Sequence, residues 1–106
     1  MKVGELEIGC ELYAFNNEKQ EMYLIELIDL EIIDEETVDL TFKVSESDKL
    51  IYDEFDLESE INKYKTDDYT YYLTKTDCFK DKIKEYQSLI DKYRSIIASM
   101  EKYLDK

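Results

Sequence analysis

From Phe79 to Leu104 the apolar residues of this chain fall four, three, four, three, four, three and four positions apart: Phe79, Ile83, Tyr86, Ile90, Tyr93, Ile97, Met100 and Leu104. No strand keeps such a period and an α-helix does, so the spacing predicts one helix from Lys75 to about Leu104 with a heptad seam along it. Thr74-Lys75-Thr76-Asp77 sets a threonine three residues before an acid, a capping-box pattern at the mouth of that helix. At 1.5 Å per residue the helix is about 45 Å long. The residues before it would fold to a radius of gyration near 11 Å by the usual scaling, so the helix overhangs whatever it packs on.

The overhang leaves two arrangements open. The helix closes the sheet of its own chain, or its seam receives another helix, from a second copy or from a different protein. Ile83, Ile90, Ile97 and Leu104 take the a positions, compatible with two strands, while Phe79, Tyr86, Tyr93 and Met100 take d, where tyrosine hydroxyls need water or a partner. Leu89, Ile96 and Tyr103 widen the apolar stripe and favour two neighbours over one. A homodimer through the seam is the leading expectation.

Before Thr74 the period is two. Glu11 to Phe15, Glu21 to Ile33, Val38 to Val44, Leu50 to Phe55 and Tyr69 to Leu73 read as strands, separated by polar turns such as Asn16-Asn17-Glu18-Lys19 and Asp34-Glu35-Glu36. Val38, Leu40, Phe42 and Val44 alternate without a break. Between Glu21 and Ile33 both parities are apolar, which means burial on both sides or a bulge. Asp56 to Tyr64 is expected to form a helical turn. The fold class is therefore α+β: a small, strongly bent antiparallel sheet or barrel of about five strands (1–74) followed by the long C-terminal helix (75–106), one domain overall.

Charge divides at the same place. Residues 1–74 hold 6 Lys against 21 Asp or Glu, a net of −15, whereas residues 75–106 hold 8 Lys or Arg against 6 acids, a net of +2. A field of that sign repels nucleic acid and anionic membrane and attracts basic surfaces. Disordered acidic chains lack aromatic and β-branched residues, and this chain has 10 Tyr and 4 Phe. Spread evenly over roughly 4,800 Å² of body surface, the excess is about one charge per 320 Å². Duplex DNA treated as a cylinder of about 10 Å radius carries about one per 110 Å². Imitation of nucleic acid thus requires the acids to cluster. The runs Asp34, Glu35 and Glu36, then Asp53, Glu54, Asp56, Glu58 and Glu60, then Asp67 and Asp68 are candidates, and Tyr64 and Tyr69 bring rings beside them on which Arg can stack. The alternative is an acidic surface that serves only solubility.

Catalytic chemistry finds little footing. Without His no Ser or Cys triad of the usual kind can be assembled, and Cys78 at a helix start would act alone. No stretch matches a calcium loop or a glycine-rich phosphate cradle, and a body of this size has little room for a sugar cleft between paired carboxylates. We expect no enzyme, no metal and no cofactor. Cys10 and Cys78 are expected to be free, buried thiols of a cytosolic protein. No apolar run approaches the 18 or so residues of a membrane span, and Met1-Lys2-Val3-Gly4-Glu5 opens no signal-peptide core.

Gly9-Cys10-Glu11-Leu12-Tyr13 and Tyr71-Tyr72-Leu73-Thr74-Lys75-Thr76-Asp77-Cys78 resemble the strand opening and the aromatic-L-T-x-x-acid strand-to-helix junction of small phage proteins of Gram-positive bacteria. Small size, acidity and tyrosine richness also resemble phage anti-defence inhibitors, anti-CRISPR and anti-restriction proteins among them. That resemblance implies a non-catalytic inhibitor in the cytoplasm of an infected host, imitating nucleic acid in a basic groove of a defence complex, with no direct contact to nucleic acid or membrane. The alternative is a structural or scaffolding module in which the coiled coil is the working part.

Overall fold

The computed structural model, which describes residues 1–104, turns the period-two segment into six strands: β1 (Glu11–Asn16), β2 (Glu21–Ile32), β3 (Thr37–Val44), β4 (Leu50–Asp56), β5 (Tyr64–Lys65) and β6 (Tyr69–Tyr72). They form one strongly curled antiparallel sheet, a half-barrel, in the order β4-β3-β2-β1-β6-β5. A single helix, α1 (Lys75–Leu104), follows. The fold is the expected α+β arrangement; the extra strand is β5, two residues that no periodicity can reveal.

The half-barrel is filled from its concave side. Leu12, Ala14, Ile25, Leu27, Val38, Leu40, Phe42, Ile51, Phe55 and Tyr71 are buried there. A one-turn 3₁₀ helix, Val3–Glu5, closes one end by bringing Val3 and Leu6 onto Leu57 and Ile61. This explains why the helical turn expected between Asp56 and Tyr64 does not form. Backbone groups there pair with the N-terminal segment instead: Val3 N–H donates to the Ser59 carbonyl at 2.8 Å, Gly4 N–H to Leu57 at 3.0 Å, and Ile61 N–H to Met1 at 3.0 Å. Gly4 suits the approach, since a Cβ there would stand 3.2 Å from the Leu57 carbonyl oxygen.

The two apolar parities of β2 resolve into a bulge between Leu27 and Asp29. Gly9 and Cys10 accompany it, with Gly9 N–H donating to the Leu27 carbonyl and Leu27 N–H to the Cys10 carbonyl. The Thr74 hydroxyl accepts the Asp77 N–H at 3.1 Å and begins α1, which is half of the expected capping box; the Asp77 carboxylate accepts from the Asn62 amide at 3.4 Å instead.

Only the first turns of α1 touch the body. A second, smaller cluster of Phe15, Tyr72 and Cys78, flanked by Tyr13 and Met22, binds the helix to the convex side of β1 and β6. The remainder projects, and the molecule measures 62 × 32 × 20 Å.

Candidate functional site

Alternation along β2, β3 and β4 sends one residue in two to the convex face, and the bulge decides which residues of β2 these are. Up to Leu27 the inward residues are Ile25 and Leu27; past Ile28 they are Leu30 and Ile32, opposite Leu40 and Val38. Asp29 and Glu31, which an unbroken strand would turn inward, therefore face outward opposite Thr41 and Asp39. β3 in turn sets Asp39 opposite Glu54 and Thr41 opposite Tyr52. Glu31, Asp39 and Glu54 thus form one row of carboxylates across three adjacent strands, with Asp29 and Tyr52 in the row on one side and Asp56 in the row on the other.

Like charges placed directly opposite each other destabilise a sheet. Asp29, Glu31, Asp39 and Glu54 are all exposed, and among the described residues no ion pair reaches any of them. With Tyr52, which is 70% exposed, they line a shallow groove of about 430 Å³. Counting Glu26, Asp29, Glu31, Asp39, Glu54 and Asp56 against Lys43, the convex face of these strands holds a net of five negative charges on roughly 400 Å², given strand and residue spacings of about 4.8 and 3.4 Å. That is about one per 80 Å², comparable to the value of about 110 Å² for DNA. Among the described residues no three carboxylates are grouped to hold a metal ion.

Of the acids singled out from sequence, Glu54 and Asp56 lie on this face. Glu35 and Glu36 are exposed in the adjoining β2–β3 turn. Asp34 in the same turn is committed to it: its carboxylate accepts the N–H groups of Glu36 and Thr37 and the Thr37 hydroxyl, at 2.8, 2.9 and 2.8 Å, which holds it below the usual carboxylate range. Asp67 and Asp68 sit in the β5–β6 turn, apart from the row.

The densest run is not one patch. Asp53 points into the half-barrel, where it accepts hydrogen bonds from Tyr71 at 2.6 Å and Thr66 at 2.8 Å. Glu58 pairs with Lys2 at 3.0 Å, and Glu60 with the N-terminal ammonium at 2.8 Å. The two tyrosines expected on the surface are also corrected. Tyr69 is 8% exposed, in the core, and Tyr64 stacks on Phe55 with ring centroids 4.8 Å apart. The ring available beside carboxylates is Tyr52.

Sequence reasoning missed Asp29, Glu31, Asp39 and Tyr52. The signal for Asp39 was present in the clean alternation of β3. The others depend on the bulge and on register.

The helix is a second surface. At its base Cys78 and Lys82 are buried, the Tyr72 hydroxyl donates to Asp81 at 2.6 Å, and Lys82 Nζ lies 4.4 Å from the centroid of the Phe15 ring and 3.1 Å from Glu85. Burial pushes the Cys78 thiol above its ordinary value, against the opposing charge of Lys82. Cys10 is half-buried, more open than expected, and both cysteines are free.

Tyr86 reaches back to Gln20 on the β1–β2 turn. Beyond it the chain's own sheet covers nothing: Leu89, Ile90, Tyr93, Ile96, Ile97 and Met100 are 39 to 60% exposed, and Tyr103 and Leu104 more than that. No described helix is long and apolar enough to cross a membrane. Comparison with protein-family models, with curated proteins and with solved structures finds no match to this chain.

Proposed function

We propose that this chain is a non-catalytic binding protein of the phage anti-defence kind, whose acidic convex face occupies a basic, nucleic-acid-binding groove of a host defence protein. The observation that carries the reading is the unpaired row of Glu31, Asp39 and Glu54 beside Tyr52. Directly opposed carboxylates cost stability, and a partner's arginines would relieve that repulsion by pairing with the acids and stacking on the ring. The groove's preference for an extended anion would be met by a surface of comparable charge density.

The test is inhibition of DNA binding by purified defence nucleases of the restriction and CRISPR types. Inhibition that weakens steeply between low and high salt, and that disappears in Glu31→Lys, Asp39→Lys, Glu54→Lys, supports the proposal. Inhibition indifferent to those reversals, or its absence across the panel, removes it.

A second reading is favoured by the bare seam of α1: a scaffolding module that self-associates through its helix, with acids that serve solubility. In that case the charge reversals are silent and seam substitutions are damaging.

A further inference from the structure

We propose that two copies of this chain join through α1 in antiparallel orientation, so that their acidic faces stand at opposite ends of one rod. The inference rests on the self-association reading above and specifies its geometry.

The area is sufficient. A side chain of this size fully exposed presents roughly 200 Å², so the eleven apolar residues of the a, d and g positions from Phe79 to Leu104, 38 to 83% exposed, present on the order of 1,000 Å². The largest apolar patch on an ordinary monomer is about 300–600 Å², and a stable interface takes about 800 Å² from each partner.

Orientation follows from which residues then meet. In the antiparallel register that uses the whole seam, Phe79 opposes Leu104, Ile83 opposes Met100, Tyr86 opposes Ile97 and Ile90 opposes Tyr93, so every ring at an a or d position meets an aliphatic side chain. A parallel pair stacks Phe79, Tyr86 and Tyr93 on their own copies and crowds the tyrosine hydroxyls together.

The flanks agree. The e positions read Lys80, Gln87, Arg94 and Glu101. Antiparallel packing sets e against e, pairing Lys80 with Glu101 and Gln87 with Arg94, and sets g against g, joining Leu89 to Ile96 and bringing Tyr103 to the edge of Lys82, which its own body covers. Parallel packing sets e against g and leaves Arg94 beside Leu89 and Glu101 beside Ile96.

The bodies decide in the same direction. Each carries a net of −15; parallel helices hold both at one end, whereas antiparallel overlap of the seam separates them by roughly 38 Å at 1.5 Å per residue, several times the screening length of about 8 Å at physiological salt. Phe79 and Ile83 are 45 and 56% exposed at the helix base, so the far end of a second helix has access to them. Combined with the leading reading, in which the acidic face enters a basic groove, the dimer is a bivalent ligand.

Sedimentation of the wild type tests self-association, and a monomer at micromolar concentration overturns self-association together with the antiparallel arrangement. Orientation is tested in a Cys10→Ser, Cys78→Ala background carrying Ile83→Cys or Met100→Cys, oxidised separately and as a mixture. Covalent dimers in the mixture alone are expected. Covalent dimers within either variant by itself, or none in the mixture while the wild type is dimeric, overturn the antiparallel arrangement and leave self-association standing. Independently of oxidation, Glu101→Lys should weaken dimerisation about threefold to tenfold, and adding Lys80→Glu should restore it; absence of rescue has the same meaning as homotypic cross-linking.

Discussion

The Tyr71 hydroxyl on β6 donates to Asp53 on β4 across 2.6 Å, although four places separate those strands in the sheet. The contact latches the half-barrel across its open side. Thr66 donates to the same carboxylate oxygen, and the Tyr64 hydroxyl accepts the Asp56 N–H at 3.1 Å. Around them the ring of Phe55 meets those of Phe42, Tyr64 and Tyr71 at 6.1, 4.8 and 4.9 Å. An acid from the densest charged run of the sequence is thus an internal acceptor.

Asp53→Ala leaves the Tyr71 and Thr66 hydroxyls without that acceptor and should cost about 2–3 kcal/mol, whereas Tyr71→Phe removes one bond and should cost about 1–2 kcal/mol. Urea unfolding checks both, with a lower midpoint and an unchanged slope. Neither change should alter the salt dependence of partner binding, because Asp53 does not face the partner. A loss of binding equal to that of the Glu54 reversal would place Asp53 in the interface.

The latch and the Tyr72–Asp81 contact at the foot of α1 together give the protein an alkaline limit. Burial raises the Tyr71 and Tyr72 hydroxyls well above the ordinary tyrosine value, and the hydrogen bonds to Asp53 and Asp81 add to the shift. Folded-state values above the unfolded value near 10 mean that stability is intact below about pH 10 and falls as pH rises beyond it, by up to about 1.4 kcal/mol per pH unit for each group. In a tyrosinate absorbance titration, two of the 10 tyrosines should ionise only as the chain unfolds. Tyr71→Phe with Tyr72→Phe should flatten the alkaline slope.

Much of this architecture is legible in the sequence because it rests on local periods. The β3 alternation, the apolar heptads of α1 and the Thr74 cap are each set by neighbours within a few residues. The acidic row is legible only in part. Asp39 follows from alternation, but Asp29 and Glu31 reach the outer face through a one-residue bulge, and their partners on β3 and β4 depend on register. Proximity along the chain misleads where the backbone turns: Glu58 and Glu60 fold back on Lys2 and the N-terminus, and Tyr69, adjacent to Asp67 and Asp68, enters the core.

Asp39 stands between Glu31 and Glu54, so Asp39→Lys replaces two repulsive cross-strand pairs by two attractive ones. Stability should rise by about 0.5–2 kcal/mol, and binding to a basic groove should fall. Added salt should raise the melting temperature of the wild type more than that of the variant. A variant no more stable than the wild type would indicate that the row is not under electrostatic strain.

Lys82 is a cation held at the foot of α1, 7% exposed, over the Phe15 ring. Lys82→Ala should cost about 1–2 kcal/mol through lost packing and cation–π attraction. Lys84→Ala, two residues on and exposed, should change stability by no more than about 0.5 kcal/mol. Thermal unfolding of the pair separates docking of the helix base from a general effect of removing charge.

Past Tyr86 the seam makes no contribution to the body, and that separation can be measured. Ile90 and Ile97 are 48 and 52% exposed in the single chain, so Ile90→Asp with Ile97→Asp removes no core contact. Sedimentation should show a monomer where the wild type is a dimer. The concentration dependence of thermal unfolding, which mass action imposes on any associating species, should vanish with it. Near-ultraviolet circular dichroism from the core tyrosines should persist, since Tyr71 and Tyr72 lie far from both positions. A wild type already monomeric at micromolar concentration, with identical unfolding across a hundredfold dilution, would remove self-association as the role of the bare stripe.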